Sequence, residues 1–274
     1  MYGMYILFDI GATNMRFAGT EDDSFESFCT PLILDTPKDF KIAMEDIRDV
    51  IEKIADGDEI DGVVGGIAGV LSSEKDMLDR SPNLPDWEGK PLKESLMDIT
   101  GCNPVIFNDA DLSGLGEAVF GSGADADIVM YVTSSTGYGG GLIVDKEIAR
   151  HHIGFEPGFQ IIDHENYTTL HEFIAGSELR ESHGKPAKEI EDPDVWKCVL
   201  DKMTIGINNS IVHWSPDKVV LGGSVMQRFS IEDIEKRVGE LMKIFPTIPK
   251  FERAMLGDVN GIYGALAYLK KKLT

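Results

Sequence analysis

Two stretches of this chain repeat a single pattern. Residues 5–20, YILFDIGATNMRFAGT, and residues 127–148, DIVMYVTSSTGYGGGLIVDKEI, each pass from an apolar strand through a glycine-bearing turn into a second strand. The pattern predicts a β-hairpin twice over, and its recurrence points to two related halves. The first strand ends with Asp9, and residues 103–110, NPVIFNDA, repeat that theme by closing an apolar strand with Asp109. A carboxylate at the end of a buried strand is strongly unfavourable unless a cation or hydrogen-bond donors meet it. Two such residues therefore ask for a functional reason.

The rest of the chain alternates strands with helices. Residues 38–56 place Phe40, Ile42, Ile47, Val50, Ile51 and Ile54 near a 3.6-residue period, which predicts an amphipathic helix stopped by Gly57. Residues 61–71, DGVVGGIAGVL, read as a short buried strand running into glycines, and residues 81–92, SPNLPDWEGKPL, as a loop too rich in Pro and Gly for a helix. Helices are predicted at 111–121, 169–182, 194–212, 231–244 and 260–271, with a further strand in DKVVLGG at 217–223. The order gives an α/β class, and 274 residues make two domains the prior.

A net charge of -21 and a pI near 4.6 repel nucleic acid, so no DNA or RNA partner is expected. A small anionic ligand stays possible, since that field is screened over about 8 Å while local amides act at contact distance. No stretch approaches the roughly 18 apolar residues of a membrane span, and the first residues lack a basic region and a cleavage site. Cys29, Cys102 and Cys198 are odd in number and far apart, which suggests neither disulfides nor a thiolate zinc knuckle. A cytoplasmic protein without a membrane partner is the expectation.

The two glycine turns have two readings. As plain hairpin turns they need glycine for positive φ. As anion sites, the amides of residues 11–14 and 136–141 would form concave donors for phosphate oxygens, helped by Thr13, Thr136 and Arg16. A dinucleotide fingerprint is excluded, because GYGGGL has Leu142 in its last place and continues into a strand rather than a helix. A P-loop is excluded too, since neither EGKPL nor HGKPA supplies its spacing.

The segments FDIGATNMRFA, NDADLSGLGEA, TSSTGYGGGLIVD, VVLGG and LGDVNGIYGALAYL resemble, in order, the phosphate-1, connect-1, phosphate-2, adenosine and connect-2 motifs of the actin/Hsp70/hexokinase superfold. The SPNLPDWEGKPL loop and the spacing narrow the resemblance to the ROK sugar kinases, of bacterial glucokinase type. That resemblance implies a two-domain actin-like ATPase (ribonuclease H-like) fold with a ligand cleft between the domains. The domains would be 1–110, rejoined by the C-terminal helix 258–274, and 111–257. It also implies ATP and Mg2+ as cofactors, a sugar as substrate, and a homodimer.

Residue by residue, the resemblance makes Asp9 the carboxylate that holds the magnesium of Mg-ATP through water, which would account for its burial. Asp109 becomes the catalytic base toward a sugar hydroxyl. Asn83, Asn108, Asp109, Glu156 and Glu172 become sugar-binding residues, and Asp9, Gly11, Thr13, Asn14, Arg16, Thr136, Gly137, Gly139, Gly222 and Gly223 ATP-binding ones. Plainer roles compete: Asp9 as a turn cap, Asp109 as the N-cap of a helix from Asp111, and Glu172 as an exposed helix carboxylate.

Departures from the family pattern are as informative. The family's G-E-x-G-H stretch appears here as FEPGFQ, so Glu156 remains but Phe159 replaces the histidine, and HENYTTL stands where a zinc-binding cysteine cluster is usual. No structural zinc is expected. His151, His152, His164, His171 and His183 lie close in sequence without a compact ligand spacing, so loop histidines are favoured over a replacement metal site. Ser135 stands in place of a usual turn glycine and adds a hydroxyl donor.

The leading expectation is an ATP-dependent kinase that phosphorylates a hydroxyl of a hexose or related sugar, with Asp109 as base. The alternative is a sugar- or ATP-sensing regulator of the same superfold without turnover. A DNA-binding helix-turn-helix would favour the regulator, but the first strand begins at residue 4 or 5.

Overall fold

The computed structural model describes residues 3–21 and 24–273; residues 1, 2, 22, 23 and 274 of the expected domains lie outside them. The chain divides into two units. Unit 1 holds the described residues up to Phe120 together with Arg150–Gly154 and those from Leu256 onward, and unit 2 holds Gly121–Ala149 and Phe155–Met255.

The five-stranded sheet of unit 1 has the spatial order Leu32–Asp35, Asn14–Gly19, Met4–Ile10, Ile60–Ile67, Val105–Asn108. The hairpin of the first two chain strands is antiparallel, and the last three strands in that order run parallel. Helices Phe40–Ala55 and Leu92–Thr100 supply the apolar face, where Ile47, Ile51 and Leu96 join Phe8, Phe17 and Trp87 in one core. The predicted helix at 38–56 begins two residues late because the Asp39 side chain accepts from the Ile42 amide, and it ends at Asp56 in the left-handed region before Gly57.

Helices Asp109–Phe120 and Asn260–Leu273 also belong to unit 1 and meet almost backbone to backbone. A Cβ on Gly264 would lie 1.9 Å from the Leu112 carbonyl oxygen, and one on Gly116 would lie 2.3 Å from that of Asn260. This close approach is why Asp109–Phe120, most of which falls in the second domain of the sequence division, groups with unit 1.

The sheet of unit 2 repeats the topology: Glu147–Ile148, Tyr138–Val144, Ile128–Ser134, Lys218–Gly222, Lys250–Arg253, again with an antiparallel hairpin and three parallel strands. The duplication read from the hairpins is thus a duplication of the whole sheet order. Its core joins Met130, Val132, Val219 and Leu221 to Met203, Ile207 and Ile211 of helix Pro193–Trp214.

Elements that the sequence reading does not predict include strands Leu32–Asp35 and Lys250–Arg253 and helix Leu92–Thr100. The first two are four residues long, too short for a period to register. The helix follows the Pro-rich loop directly and stops at Gly101, φ 73°. The helix predicted at 169–182 is two helices, Leu170–Ile174 and Gly176–His183, broken at Ala175 with ψ 141°. A Cβ at Gly176 would lie 2.3 Å from the Ser135 carbonyl oxygen, so the chain presses on the second hairpin turn there and cannot continue one helix.

Candidate functional site

In unit 1, Asp9 and Asp109 stand near the ends of two parallel strands separated by one. Asp9 is in register with Gly66 of the intervening strand, and Gly66 with Phe107. A Cβ on Gly66 would sit 3.1 Å from the Asp109 Cα, and one on Gly261 would sit 2.6 Å from the Asp9 Cγ, so glycines leave room for both carboxylates. Asp9 is only 8% exposed. Burial pushes its carboxyl up from 3.8 to about 7; the Asp109 charge adds to the rise, Arg16 opposes it and Asp258 adds again. Burial likewise raises Asp109 to about 6, against the hydrogen bond from the Ala110 amide and with the charge of Asp111.

Arg16, opposite Asp9 across the hairpin, is held by Asp258 at 3.5 Å, and Asp258 is almost fully exposed. That ion pair is screened by water and leaves the carboxylates short of positive charge. Among the described residues no group of three or more His, Cys, Asp or Glu could hold a metal ion by itself. Magnesium held by one carboxylate, water and substrate phosphates needs no such group, and a buried, charge-deficient Asp9 fits that chemistry.

Asn108, not Asp109, caps the helix. Its Oδ1 accepts from the Ala110 amide at 2.9 Å and the Asp111 amide at 3.2 Å, and its Nδ2 donates to the Gly69 carbonyl at 3.1 Å. The helix therefore starts at Asp109 itself rather than at Asp111. Asp111 is buried and its Oδ2 lies 3.0 Å from His151 Nε2.

The first glycine turn is narrower than its sequence reading. The Gly11 amide closes the hairpin by donating to the Asn14 carbonyl at 2.9 Å, so it is engaged within the turn. The three carbonyls of the turn all bind one segment: Gly11 O accepts from Thr36 Oγ1 at 2.8 Å, Ala12 O from Lys38 Nζ at 3.3 Å, and Thr13 O from the Thr36 amide at 2.9 Å. In a trans peptide the N–H points opposite to the C=O. Anchoring these carbonyls on one side thus turns the amides of Ala12, Thr13 and Asn14 to the other, which is the arrangement an anion needs.

The same short segment grips the loop that carries Asn83. Lys38 Nζ donates to the Asn83 carbonyl at 2.9 Å, Trp87 Nε1 to the Pro37 carbonyl at 3.1 Å, and the Phe40 and Trp87 rings meet edge to face at 5.3 Å. Trp87 is buried within the 3₁₀ turn Pro85–Trp87. Thr36 and Lys38 are absent from the site residues expected of the sequence, where a Thr-Pro pair before a helix reads only as a helix entry.

In unit 2 the second turn is also shorter than expected. Tyr138, Gly139, Gly140 and Gly141 pair with Ser134, Thr133, Val132 and Tyr131, so the amides of 139–141 belong to a strand, and the turn is Ser135–Gly137. Two of its three carbonyls are again held by one segment, while Gly137 O accepts from the Ser135 amide at 2.9 Å. Ser135 O accepts from the Gly176 amide at 2.7 Å, and Thr136 O from the Ser177 amide at 3.0 Å and Ser177 Oγ at 2.8 Å. Gly222 and Gly223 are required by packing, since Cβ atoms there would lie 2.5 Å from the Tyr131 hydroxyl and 2.2 Å from the Ser134 carbonyl oxygen.

Glu156 borders a pocket of about 380 Å³ with Gln160, Asn209, His213 and Trp214. Glu172 is committed to a capping box, its Oε2 accepting from Thr169 N and Oγ1, both at 2.7 Å, and these bonds hold its carboxyl below the usual range. Phe159 is 47% exposed and stacks on His171 at 5.3 Å and 17°. Burial lowers the His171 pKa, against the charges of Glu178 and Glu172.

Residues 5–272 match the ROK family. The chain belongs to that family. A glucokinase of Streptomyces coelicolor is 32% identical over 157 residues, covering 57% of this chain and 49% of the relative; in that alignment the chain spans about half the relative's length. The N-acetyl-D-glucosamine kinase of Aliivibrio salmonicida is 27% identical over 306 residues, covering 98% of this chain and 100% of the relative. The ROK hexokinase of Thermus thermophilus has a TM-score of 0.81 at 22% identity, covering 98% and 99% of the two chains. The ROK chain thus has the actin-like ATPase fold, with one ribonuclease H-like sheet in each unit. Among the described residues no helix is long and apolar enough to cross a membrane.

Proposed function

We propose that this ROK protein is an ATP-dependent carbohydrate kinase that transfers the γ-phosphoryl group of Mg-ATP to a hydroxyl of a hexose or related sugar. The observation that carries the reading is the pair of proton-affine carboxylates in unit 1, beside a turn whose amides are aimed away from its anchored carbonyls. Asp109, raised to about 6, is half charged just below neutrality and can take a hydroxyl proton during attack, which is where a general base works best. Asp9 takes the role of holding hydrated magnesium, the ion that neutralises charge on the phosphates in such transfers. Asn83 and the second Nδ2 hydrogen of Asn108 are offered to sugar hydroxyls in unit 1.

The relatives support the class: those reported above bear the names of glucokinase and N-acetyl-D-glucosamine kinase. The test is coupled ADP release over a panel of hexoses, amino sugars, acetylated amino sugars and sugar acids, with sugar-free ATP hydrolysis as control. Release that depends on one sugar supports the reading. Equal ADP release with and without every sugar refutes it.

A further inference from the structure

We propose that Lys38 is a positioning residue that couples sugar binding to nucleotide binding by clamping the loop of Asn83 to the turn of Gly11–Asn14. The inference rests on the kinase reading and goes beyond it by naming the connection between the two ligand sites of unit 1.

Residues 36–40 touch both elements. Thr36 and Lys38 hold the three turn carbonyls, while Lys38, Pro37 and Phe40 hold Asn83 and Trp87 of the loop. Thr36 is buried and Trp87 is buried, so those two contacts belong to the packed body of the unit. The Lys38 side chain is exposed and is the one group among these that bonds the turn and the loop at once. Its ammonium has three donors and no acceptor, and carbonyl bonds to a charged donor are about twice as strong as neutral ones.

When a sugar engages the Asn83 loop, that loop is ordered, and the clamp transmits the ordering to the Ala12 carbonyl and so to the amides that face phosphate. By linkage, nucleotide must then tighten sugar binding by the same factor. Removing the clamp leaves each site able to bind alone and removes the factor between them. A purely structural lysine would instead weaken one ligand or the fold, without altering the ratio.

The experiment is titration calorimetry of the full chain with a non-hydrolysable ATP analogue plus magnesium, with and without the best sugar of the panel, on wild type, Lys38→Met and Lys38→Arg. In wild type, sugar is expected to tighten the analogue by about 5-fold or more, the usual lower range of such coupling. Lys38→Met should bring the ratio to about 1, separately from any loss in affinity for the analogue alone as the Ala12 carbonyl is released, and Lys38→Arg, which keeps the charge and the donors, should restore most of it. A ratio in Lys38→Met equal to that of wild type overturns the clamp. Wild type that binds analogue and sugar with no coupling overturns it as well, while leaving the kinase reading intact. Absence of sugar binding by wild type counts against the kinase reading itself, and the clamp falls with it.

Discussion

Replacing Asp9 by Asn should stabilise the metal-free protein while ending turnover. The carboxyl is raised from 3.8 to about 7 in the folded chain, mainly by burial. A raised acid binds its proton more tightly when folded, so its contribution is fully present below the unfolded value and is lost as pH rises through the folded one. The window runs from 3.8 to about 7. At 1.36 kcal/mol per pH unit the whole rise amounts to about 4 kcal/mol at pH 8, an upper value because Asp109 and Asp258 contribute to it. With Asp9 8% exposed, water screens little of it. Asn is isosteric and fits against Gly261, so the variant should lose this term without opening a cavity. Urea unfolding in a chelator from pH 4 to 8.5 reads the effect, and in a Trp196→Phe, Trp214→Phe background the remaining fluorescence comes from Trp87 of unit 1. The stability difference between variant and parent should be small near pH 4, grow through pH 5–7, and level off above at about 2–4 kcal/mol. Adding Mg-ATP should narrow it, because ligand stabilises only the parent by mass action. A difference that stays flat from pH 4 to 8 would show that Asp9 is not charge-starved, and the argument for its role in holding magnesium would lose its basis.

Asp109→Asn should lower sugar-dependent ADP release by about 10²- to 10⁴-fold with the fold intact, and the parent's kcat/KM should fall as pH drops through about 6 as the base takes up its proton; undiminished turnover in the variant refutes the assignment. Gly264→Ala drives a methyl into the Leu112 carbonyl, so the two helices of unit 1 must separate, at about 1–3 kcal/mol by urea midpoint; an unchanged midpoint would mean the backbones part freely. Phe159→His should move the ratio of kcat/KM for glucose against the best panel sugar toward glucose, since an apolar wall discriminates sugars only about 10- to 200-fold and a ring N–H can read a hydroxyl. High efficiency on glucose in the unmodified protein would show that another group already reads it.

What the sequence made legible was whatever repeats or punctuates. The two hairpins, the helices near 40–55, 109–120, 193–214, 231–241 and 260–273, and Asp9 at its strand end follow from period and from single misplaced charges and reappear near their expected places, whereas 169–182 is broken and Asp109 opens a helix. Boundaries set by tertiary contact were not legible. A run of glycines reads as a loop and makes the amides of Gly139–Gly141 turn donors, yet pairing with Tyr131–Thr133 makes them a strand, and at residue 140 a Cβ would lie 2.7 Å from the Tyr131 carbonyl oxygen. Glu172 matches a sugar-binding position, and the T-x-x-E spacing from Thr169 that marks a capping box is the local pattern that competes with that role. The helix cap, the plainer role weighed for Asp109, falls to Asn108, since the cap belongs to whichever side chain reaches two amides, and only coordinates decide that.

The two halves also share a device that sequence does not display. In unit 1 the turn carbonyls are held by Thr36 and Lys38, from the segment entering a helix; in unit 2 they are held by Gly176 and Ser177, which open a helix. Each case uses a hydroxyl and backbone amide, and unit 1 adds the ammonium of Lys38. The physical result is the same, because a planar peptide whose oxygen is fixed has its N–H fixed too. A duplicated sheet therefore needs no duplicated motif to orient two hairpin turns; it needs only that some donor hold carbonyls of each. That is why matching of glycines finds both turns, and why the side chains that orient them must be found by following the carbonyls.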